Sequence, residues 1–196
     1  NYGETMGTWI AIAIVLFVLG SIMALKPSAI DVRLDKLRMT ARRLELNPKL
    51  IECPEWIRGR DNEFGKGMIG QYAIIVNDMK FPETHYQAID GKLRLDNHPH
   101  SNQNSVKSAS LEGLGSMPKQ ALGSTLDSEL IALPAPIIPL VKGVYTKANS
   151  LVVFWHDIGY VQPKTNPNFD MAQIEPDLLA LKSTMEIWAQ KLAAKA

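Results

Sequence analysis

The stretch that organises this chain is Leu151-Val-Val-Phe-Trp155. Five consecutive apolar residues, rich in β-branched and aromatic types, predict a strand that is buried on both faces. The segment before it, Gly143-Val-Tyr-Thr146, is also strand-like, and residues 147–150 between the two predict a hairpin turn. We therefore expect the second strand of this hairpin to lie at the centre of the core.

Residues 50–95, upstream of this hairpin, predict further antiparallel strands at 51–57, 68–76 and 88–95. The dipeptide Asp90-Gly91 favours a two-residue turn inside the last of these segments. The region contains both aromatic and basic residues. The aromatic residues are Trp56, Tyr72, Phe81 and Tyr86, and the basic residues are Arg58, Arg60 and Lys66. This mixture suits either the stacking of single-stranded bases or core packing, and the acidic neighbours favour packing because they oppose a phosphate backbone.

A basic amphipathic helix is predicted to begin after Pro27, where Ser28 can cap the first turn. Its apolar residues recur every three or four positions and form one stripe: Ile30, Leu34, Leu37, Ala41 and Leu44. Three interpretations stay open. The stripe packs on this domain's own sheet; it docks on a partner protein through Ile30, Leu34, Leu37 and Leu44; or the helix lies on anionic lipid headgroups through Lys26, Arg33, Lys36, Arg42 and Arg43.

The chain closes with a second amphipathic pattern, which is opened near Pro176. Its apolar positions are Ile174, Leu178, Leu181, Met185, Trp188 and Leu192. Its stripe could cover the sheet or bind a partner protein, and we expect it to cover the sheet, because the sheet otherwise lacks an apolar cover. Before the hairpin, the three prolines of 133–141 predict an extended, packed crossing segment.

Near the N-terminus, Thr5 through Leu25 carry no charge. That length is enough to cross the ~30 Å apolar core of a bilayer as a helix, so the sequence predicts a transmembrane anchor. Lys and Arg follow the run and none precedes it, which predicts an N-terminus outside and a cytoplasmic domain at a bacterial inner membrane. Gly20 and Ala24 are small residues four apart, a spacing that permits close approach of another helix.

These elements predict an α+β fold in three parts. Residues 1–26 form a short N-terminus and the anchor, 27–47 the basic juxtamembrane helix, and 48–196 a domain with a small antiparallel sheet, a C-terminal helix and a polar loop at 96–129. The polar loop is predicted from its clustered Asn, Ser, Gln and Gly.

Composition and motifs supply no catalytic signature. A net charge of +1 argues against a general nucleic-acid binder, and the single Cys53 excludes an internal disulfide. His98-Pro-His100, even with His85 and Asp96, offers too few ligands to assign a metal. His156 and Asp157 would point to opposite faces of a strand, so they cannot act as a pair. We therefore assign no catalytic residue, cofactor or metal ligand.

An apolar span, then Leu25-Lys26-Pro27 and a basic helix, resembles the layout of the YajC family, ancillary subunits of the bacterial Sec translocase. The resemblance covers about 8–46 and departs from the family in lacking a basic Gln-rich stretch and in carrying a longer domain; as a whole the chain looks more like a proteobacterial single-span membrane protein of uncharacterised type. We expect a non-catalytic accessory or interaction subunit of a larger inner-membrane protein complex. The alternatives are an ancillary role at the Sec translocase, which the resemblance implies, an accessory role in a respiratory or transport complex, and a membrane-anchored enzyme.

Overall fold

The computed structural model describes residues 2–24, 28–59, 61–96, 126 and 130–193. These residues form an α+β fold with four helices: α1 (Tyr2–Ala24), α2 (Ala29–Arg43), α3 (Asp157–Val161) and α4 (Ile174–Ala193). They also form six strands: β1 (Lys49–Glu52), β2 (Met68–Ile75), β3 (Phe81–Ile89), β4 (Lys92–Leu95), β5 (Val141–Ala148) and β6 (Ser150–Trp155). The strands make one antiparallel sheet in the order β1-β2-β6-β5-β3-β4.

Strand β6 lies between β2 and β5 in the middle of this sheet. Every residue from Leu151 to Trp155 is buried, because helices cover one face of the strand and a second apolar cluster covers the other. The prediction of a central strand with two buried faces is confirmed.

The turn between β3 and β4 is the predicted two-residue hairpin. Ile89 pairs with Lys92, so that only Asp90 and Gly91 lie outside the ladder. Both residues have positive φ angles, 52° and 73°. This backbone twist matches that of the flanking strands, and it is accessible to Asp and Gly at little cost.

Helices α2 and α4 pack on one face of the sheet. Ser28 caps α2 as predicted, its Oγ accepting a hydrogen bond from the Asp31 amide at 3.1 Å. All six predicted stripe residues of α4 are buried in the main core together with Leu37 and Ala41 of α2. The apolar stripe of α4 therefore covers the sheet, as its spacing predicts.

The proline-rich segment before β5 differs from its prediction. It forms a tight turn at 134–137 and a 3-10 turn at Ile138–Leu140 rather than an extended path. The Pro134 carbonyl accepts from the Ile137 amide at 2.8 Å, which closes a tight turn. Such a turn is compatible with proline because proline fixes φ near the value that a 3-10 turn needs.

The first helix, α1, overturns a larger prediction. Its large apolar side chains are exposed: Met6, Trp9, Ile10, Ile12, Ile14, Val15, Leu16, Phe17, Val18 and Leu19. Over the described residues, however, no helix is long and apolar enough to cross a membrane. A span needs roughly 20 consecutive apolar residues, and no helix of the described residues provides such a run.

The predicted transmembrane anchor at 1–26 is therefore wrong for the part of the chain that the structure describes. The single-pass topology, the outside N-terminus and the inner-membrane location were inferred from that anchor, and they are corrected with it.

Candidate binding surface on the open face of the sheet

A partly buried ion pair joins α2 to Asp157, the first residue of α3, on the face of the sheet that the helices cover. The Arg38 guanidinium donates to both carboxylate oxygens of Asp157, from Nε to Oδ2 at 2.8 Å and from Nη2 to Oδ1 at 3.2 Å. The Tyr72 hydroxyl donates to Oδ2 at 3.3 Å. Gly70 makes room for the carboxylate, because a Cβ there would lie 2.9 Å from Asp157 Cγ.

This network keeps the Tyr72 phenol neutral and the Arg38 guanidinium charged. Burial, followed by the negative charge of Asp157, raises the pKa of Tyr72 well above its usual value, so the phenol stays neutral. Burial alone would lower the pKa of Arg38, but the hydrogen bond and charge of Asp157 raise it above its usual value. Because both carboxylate oxygens of Asp157 already accept hydrogen bonds, this ion pair is suited to holding α2 against the start of α3 rather than to proton transfer.

The described residues cover the opposite face of the sheet, which we call the outer face, only in part. Residues 53–66 form a loop that packs a small apolar cluster onto β2 and β6: Cys53, Ile57, Ile69, Val152 and Phe154. The Arg58–Phe64 bridge and the hydrogen bond from the Gly65 amide to the Ile57 carbonyl close the loop. Burial raises the pKa of the Cys53 thiol, which makes it an unreactive member of this cluster.

Beside this loop, three half-buried rings from different elements form what we call the aromatic cluster: Trp56, His85 and Tyr145. The rings of Trp56 and His85 meet edge to face with centroids 4.6 Å apart, and His85 stacks on Tyr145 at 4.8 Å. The Gln87 amide fixes the loop by donating to the Trp56 carbonyl at 2.9 Å. Trp56 lies against Gly143, where a Cβ would come within 2.9 Å of Trp56 Cζ3.

A polar group borders the aromatic cluster on β3 and β5. The Tyr145 hydroxyl donates to one Glu83 carboxylate oxygen at 2.8 Å, and Lys147 Nζ lies 3.1 Å from the other. These two contacts lower the pKa of Glu83. Burial lowers the pKa of His85 from 6.5, so its imidazole is neutral at pH 7. The cluster therefore presents uncharged rings to solvent at neutral pH.

Next to the aromatic cluster lies a cleft of about 280 Å³, which we call the lysine cleft. Its lining comes from the 53–66 loop, β3, the hairpin turn and β5: Arg58, Asn62, Gln87, Ala88, Ile89, Asp90 and Lys142. The Arg58 guanidinium lies over the Phe64 ring at 4.8 Å, and its Nη1 donates to Asn62 Oδ1 at 3.4 Å. Gln87 touches both features, since it lines the cleft and holds Trp56.

A larger groove of about 630 Å³ lies where α2, β2 and α4 meet. Its charges balance, with Arg42 and Lys182 against Glu45 and Glu186. Lys182 already has a carboxylate partner, because its Nζ lies 3.4 Å from Glu45 Oε2. Size alone does not define a binding site, and these balanced charges give no preference for a ligand of either sign.

The predicted partner-binding stripe of α2 is used within this chain. Leu37 is fully buried, and Ile30, Leu34 and Leu44 pack against the same core. Two small residues of α1 were also predicted to contact a partner: Gly20 has open space around it, since a Cβ added there would meet no described atom within 4 Å, and Ala24 is the last residue of the helix.

Two of the predicted lipid-headgroup cations, Arg33 and Arg43, make contacts within this chain. Arg33 lies over the Phe169 ring at 5.2 Å, and Arg43 pairs with Glu175 at 2.7 Å. Arg42 lines the larger groove and Lys36 is exposed, while Lys26 falls outside the described residues.

Three of the four aromatic residues considered for base stacking, Tyr72, Phe81 and Tyr86, are buried in the core. His98 and His100 lie outside the described residues, and the described part of the chain holds no group of three or more side chains placed to bind a metal. The sequence patterns indicated His85 only as a possible metal ligand, and they assigned no role to Tyr145 or Lys142. Strand alternation places His85 and Gln87 on one face, but no sequence signal shows which residues of β5 lie beside them.

Comparisons of the chain with protein-family models, with curated proteins and with solved structures found no match. The resemblance to the YajC family therefore stays a prediction.

Proposed function

We propose that the protein is a non-catalytic interaction subunit of a larger protein assembly and that it contacts a partner through the aromatic cluster. The observation that carries this proposal is the set of partly exposed rings of Trp56, His85 and Tyr145 on the outer face of the sheet. Trp and Tyr are enriched among the residues that supply most of the binding energy in protein interfaces.

The aromatic cluster is held in place before any partner arrives. His85 and Tyr145 are paired residues on neighbouring strands, and Trp56 is fixed by Gln87 and by its contact with Phe154, whose ring centroid lies 5.5 Å away. A surface that is already ordered loses little conformational entropy on binding. This rigidity favours a docking surface over a strand face that merely tolerates aromatic residues.

The exposed side chains of α1 support an assembly independently. Their exposed fractions range from 44% at Ile12 to 77% at Phe17, along a helix that is apolar on all sides. Apolar surface of this extent is unfavourable in water and marks a site of contact with another molecule. The described residues therefore leave the apolar surface of α1 uncovered.

A photo-crosslinking experiment tests the proposal in the cells that make the protein. A photoreactive phenylalanine analogue replaces His85 in one variant and Ser183 in a control variant; Ser183 is exposed on α4, which packs on the opposite face of the sheet. We expect a discrete cross-linked protein from position 85 and none from position 183. Equal cross-linking at both positions, or no cross-linked protein at position 85, would refute the proposal.

The identity of the captured protein decides among the assemblies considered. Subunits of the Sec translocase would support the ancillary role that the YajC resemblance implies. Subunits of a respiratory or transport complex would support the other accessory role. A Tyr145→Ala change in the position-85 variant should weaken the cross-link, whereas Tyr145→Phe, which keeps the ring that stacks beside position 85, should retain it.

A further inference from the structure

The lysine cleft has the chemistry of a site for a single carboxylate. We infer that it binds one carboxylate group of an acidic segment in the partner protein, with Lys142 and Arg58 as the cationic contacts. This inference rests on the proposed function, because the cleft adjoins the aromatic cluster through Gln87.

Lys142 is the first support. The register between β5 and β6 shifts between Val141 and Gly143, so Lys142 is an extra residue without a partner across the ladder. Such bulges redirect a side chain and are frequent beside binding sites. Here the redirected side chain lines the cleft and is half-buried.

The charge of Lys142 is not balanced within the described part of the chain. Lys147 on the same strand and Arg94 on β4 have carboxylate oxygens at 3.1 Å and 4.0 Å, whereas Lys142 has no carboxylate within 4.0 Å among the described residues. A half-buried ammonium without a counter-ion attracts an anion more strongly than a fully solvated one, because water screens it less.

Arg58 is the second support, since its position is fixed while most of its donors stay available. The guanidinium is held over the Phe64 ring, and one nitrogen, Nη1, donates to Asn62. A guanidinium has five N–H donors arranged to match the two oxygens of a carboxylate. The side-chain amide of Asn62 also lines the cleft and adds N–H donors for the same group.

Charge and size together favour a carboxylate over a larger anion. Two cations and the carboxylate of Asp90 line the cleft, which leaves a net charge of +1 that matches a monoanion. Asp90 would oppose the second charge of a phosphate group. A volume of about 280 Å³ is near the lower limit of small-molecule pockets, which start at roughly 300 Å³, so it suits one side chain rather than a whole cofactor.

The test titrates the full chain, in a mild detergent that covers α1, with two blocked tripeptides. The first is acetyl-Ala-Glu-Ala-amide, and the second carries Gln in place of Glu and so lacks only the charge. Binding is followed through the backbone amide NMR signals of Gln87 and Gly143. We expect saturable shifts with the Glu peptide and no saturable shift with the Gln peptide.

Two lysine variants on the same strand supply the matched comparison. Lys142→Gln should weaken binding of the Glu peptide about tenfold, because one charge-assisted hydrogen bond is lost. Lys147→Gln should leave the affinity within about twofold, because Lys147 already pairs with Glu83. Arg58→Gln gives a second reading of the same site and should also weaken binding.

Equal binding of the Glu and Gln peptides, or equal affinity in Lys142→Gln and the unchanged protein, would overturn the inference. Tighter binding of inorganic phosphate than of the Glu peptide would overturn the assignment to a carboxylate. Peptide binding without a cross-linked protein at position 85 would refute the interaction subunit and leave the cleft standing. A position-85 cross-link without saturable peptide binding would refute the carboxylate site and leave the interaction subunit standing.

Discussion

Replacing Arg38 by methionine keeps most of the aliphatic side chain but removes the only cation that contacts Asp157 among the described residues. The Asp157 side chain is 3% exposed, and among the described residues it would then have only the Tyr72 hydroxyl, at 3.3 Å, as a side-chain donor. Removing one partner of a buried ion pair costs about 3 to 5 kcal/mol, and the 21% exposure of Arg38 places this site at the lower end. We expect a loss of about 3 kcal/mol from the free energy of unfolding.

The companion variants separate the charge from the packing. Asp157→Asn keeps the shape and removes the charge, at a cost of about 1 to 2 kcal/mol for the weakened hydrogen bonds. The double variant Arg38→Met, Asp157→Asn should cost less than the sum of the two single changes, because neither leaves a charge unpaired once the other is made. The coupling energy should be roughly 1 to 3 kcal/mol, as for residues within one ion-pair network.

Urea unfolding measures these differences. Trp155 and Trp188 are buried in the core, so their fluorescence follows the loss of packing. All four proteins are compared in the same detergent, so that the exposed α1 affects each one equally. A loss under about 1 kcal/mol for Arg38→Met, or additive single changes, would show that the ion pair does not hold α2 against the start of α3.

Two further predictions concern the aromatic cluster. Burial lowers the pKa of His85 from 6.5, so the native state disfavours the protonated ring; the stability present above pH 6.5 should fall as the pH drops through the folded pKa, and His85→Gln should remove that part of the pH profile. A flat difference between the two pH profiles would contradict this. Gly143→Ala should destabilise the fold by about 1 to 3 kcal/mol through overpacking, because its Cβ would lie 2.9 Å from both Trp56 Cζ3 and the Tyr86 carbonyl. Unchanged stability and Trp emission would show that Trp56 does not lie against Gly143.

Local patterns in the sequence predicted much of the α+β domain. The run Leu151–Trp155 has no polar residue. A strand buries every residue of such a run when both of its faces are covered, as they are here. Asp90-Gly91 predicted its hairpin because both residues accept positive φ angles, and Ser28 predicted its cap because its oxygen reaches the first turn. Each of these signals operates within a few residues of chain.

The features that shape the candidate site depend on contacts between distant residues. Arg38 and Asp157 are 119 positions apart, so no local pattern pairs them. The bulge at Lys142 depends on how β5 matches β6, and the position of Trp56 depends on Gly143 and Gln87 from other strands. Register is set by the whole sheet, and a shift of one residue moves a side chain to the other face.

The apolar run at the N-terminus shows that a strong local pattern can also lead to a wrong prediction. Its length and lack of charge predicted a membrane span, whereas the described residues contain no helix that is long and apolar enough for one. The uncharged run predicted the helix α1, but the membrane span inferred from it was wrong, because length and lack of charge do not by themselves establish what covers an apolar helix.

The two faces of the sheet give the strongest reason to expect a partner on the outer one. Antiparallel sheets with one face in water commonly carry polar residues on that face. Here the 53–66 loop covers the outer side of β2 and β6 with its own apolar cluster, but on β3 and β5 the open side carries the stacked rings of His85 and Tyr145. A chain that required only solubility would gain from charged or small polar residues at both positions. The aromatic cluster, bordered by an ammonium without a described counter-ion at Lys142, is better explained by a partner that covers the rings and supplies the missing negative charge.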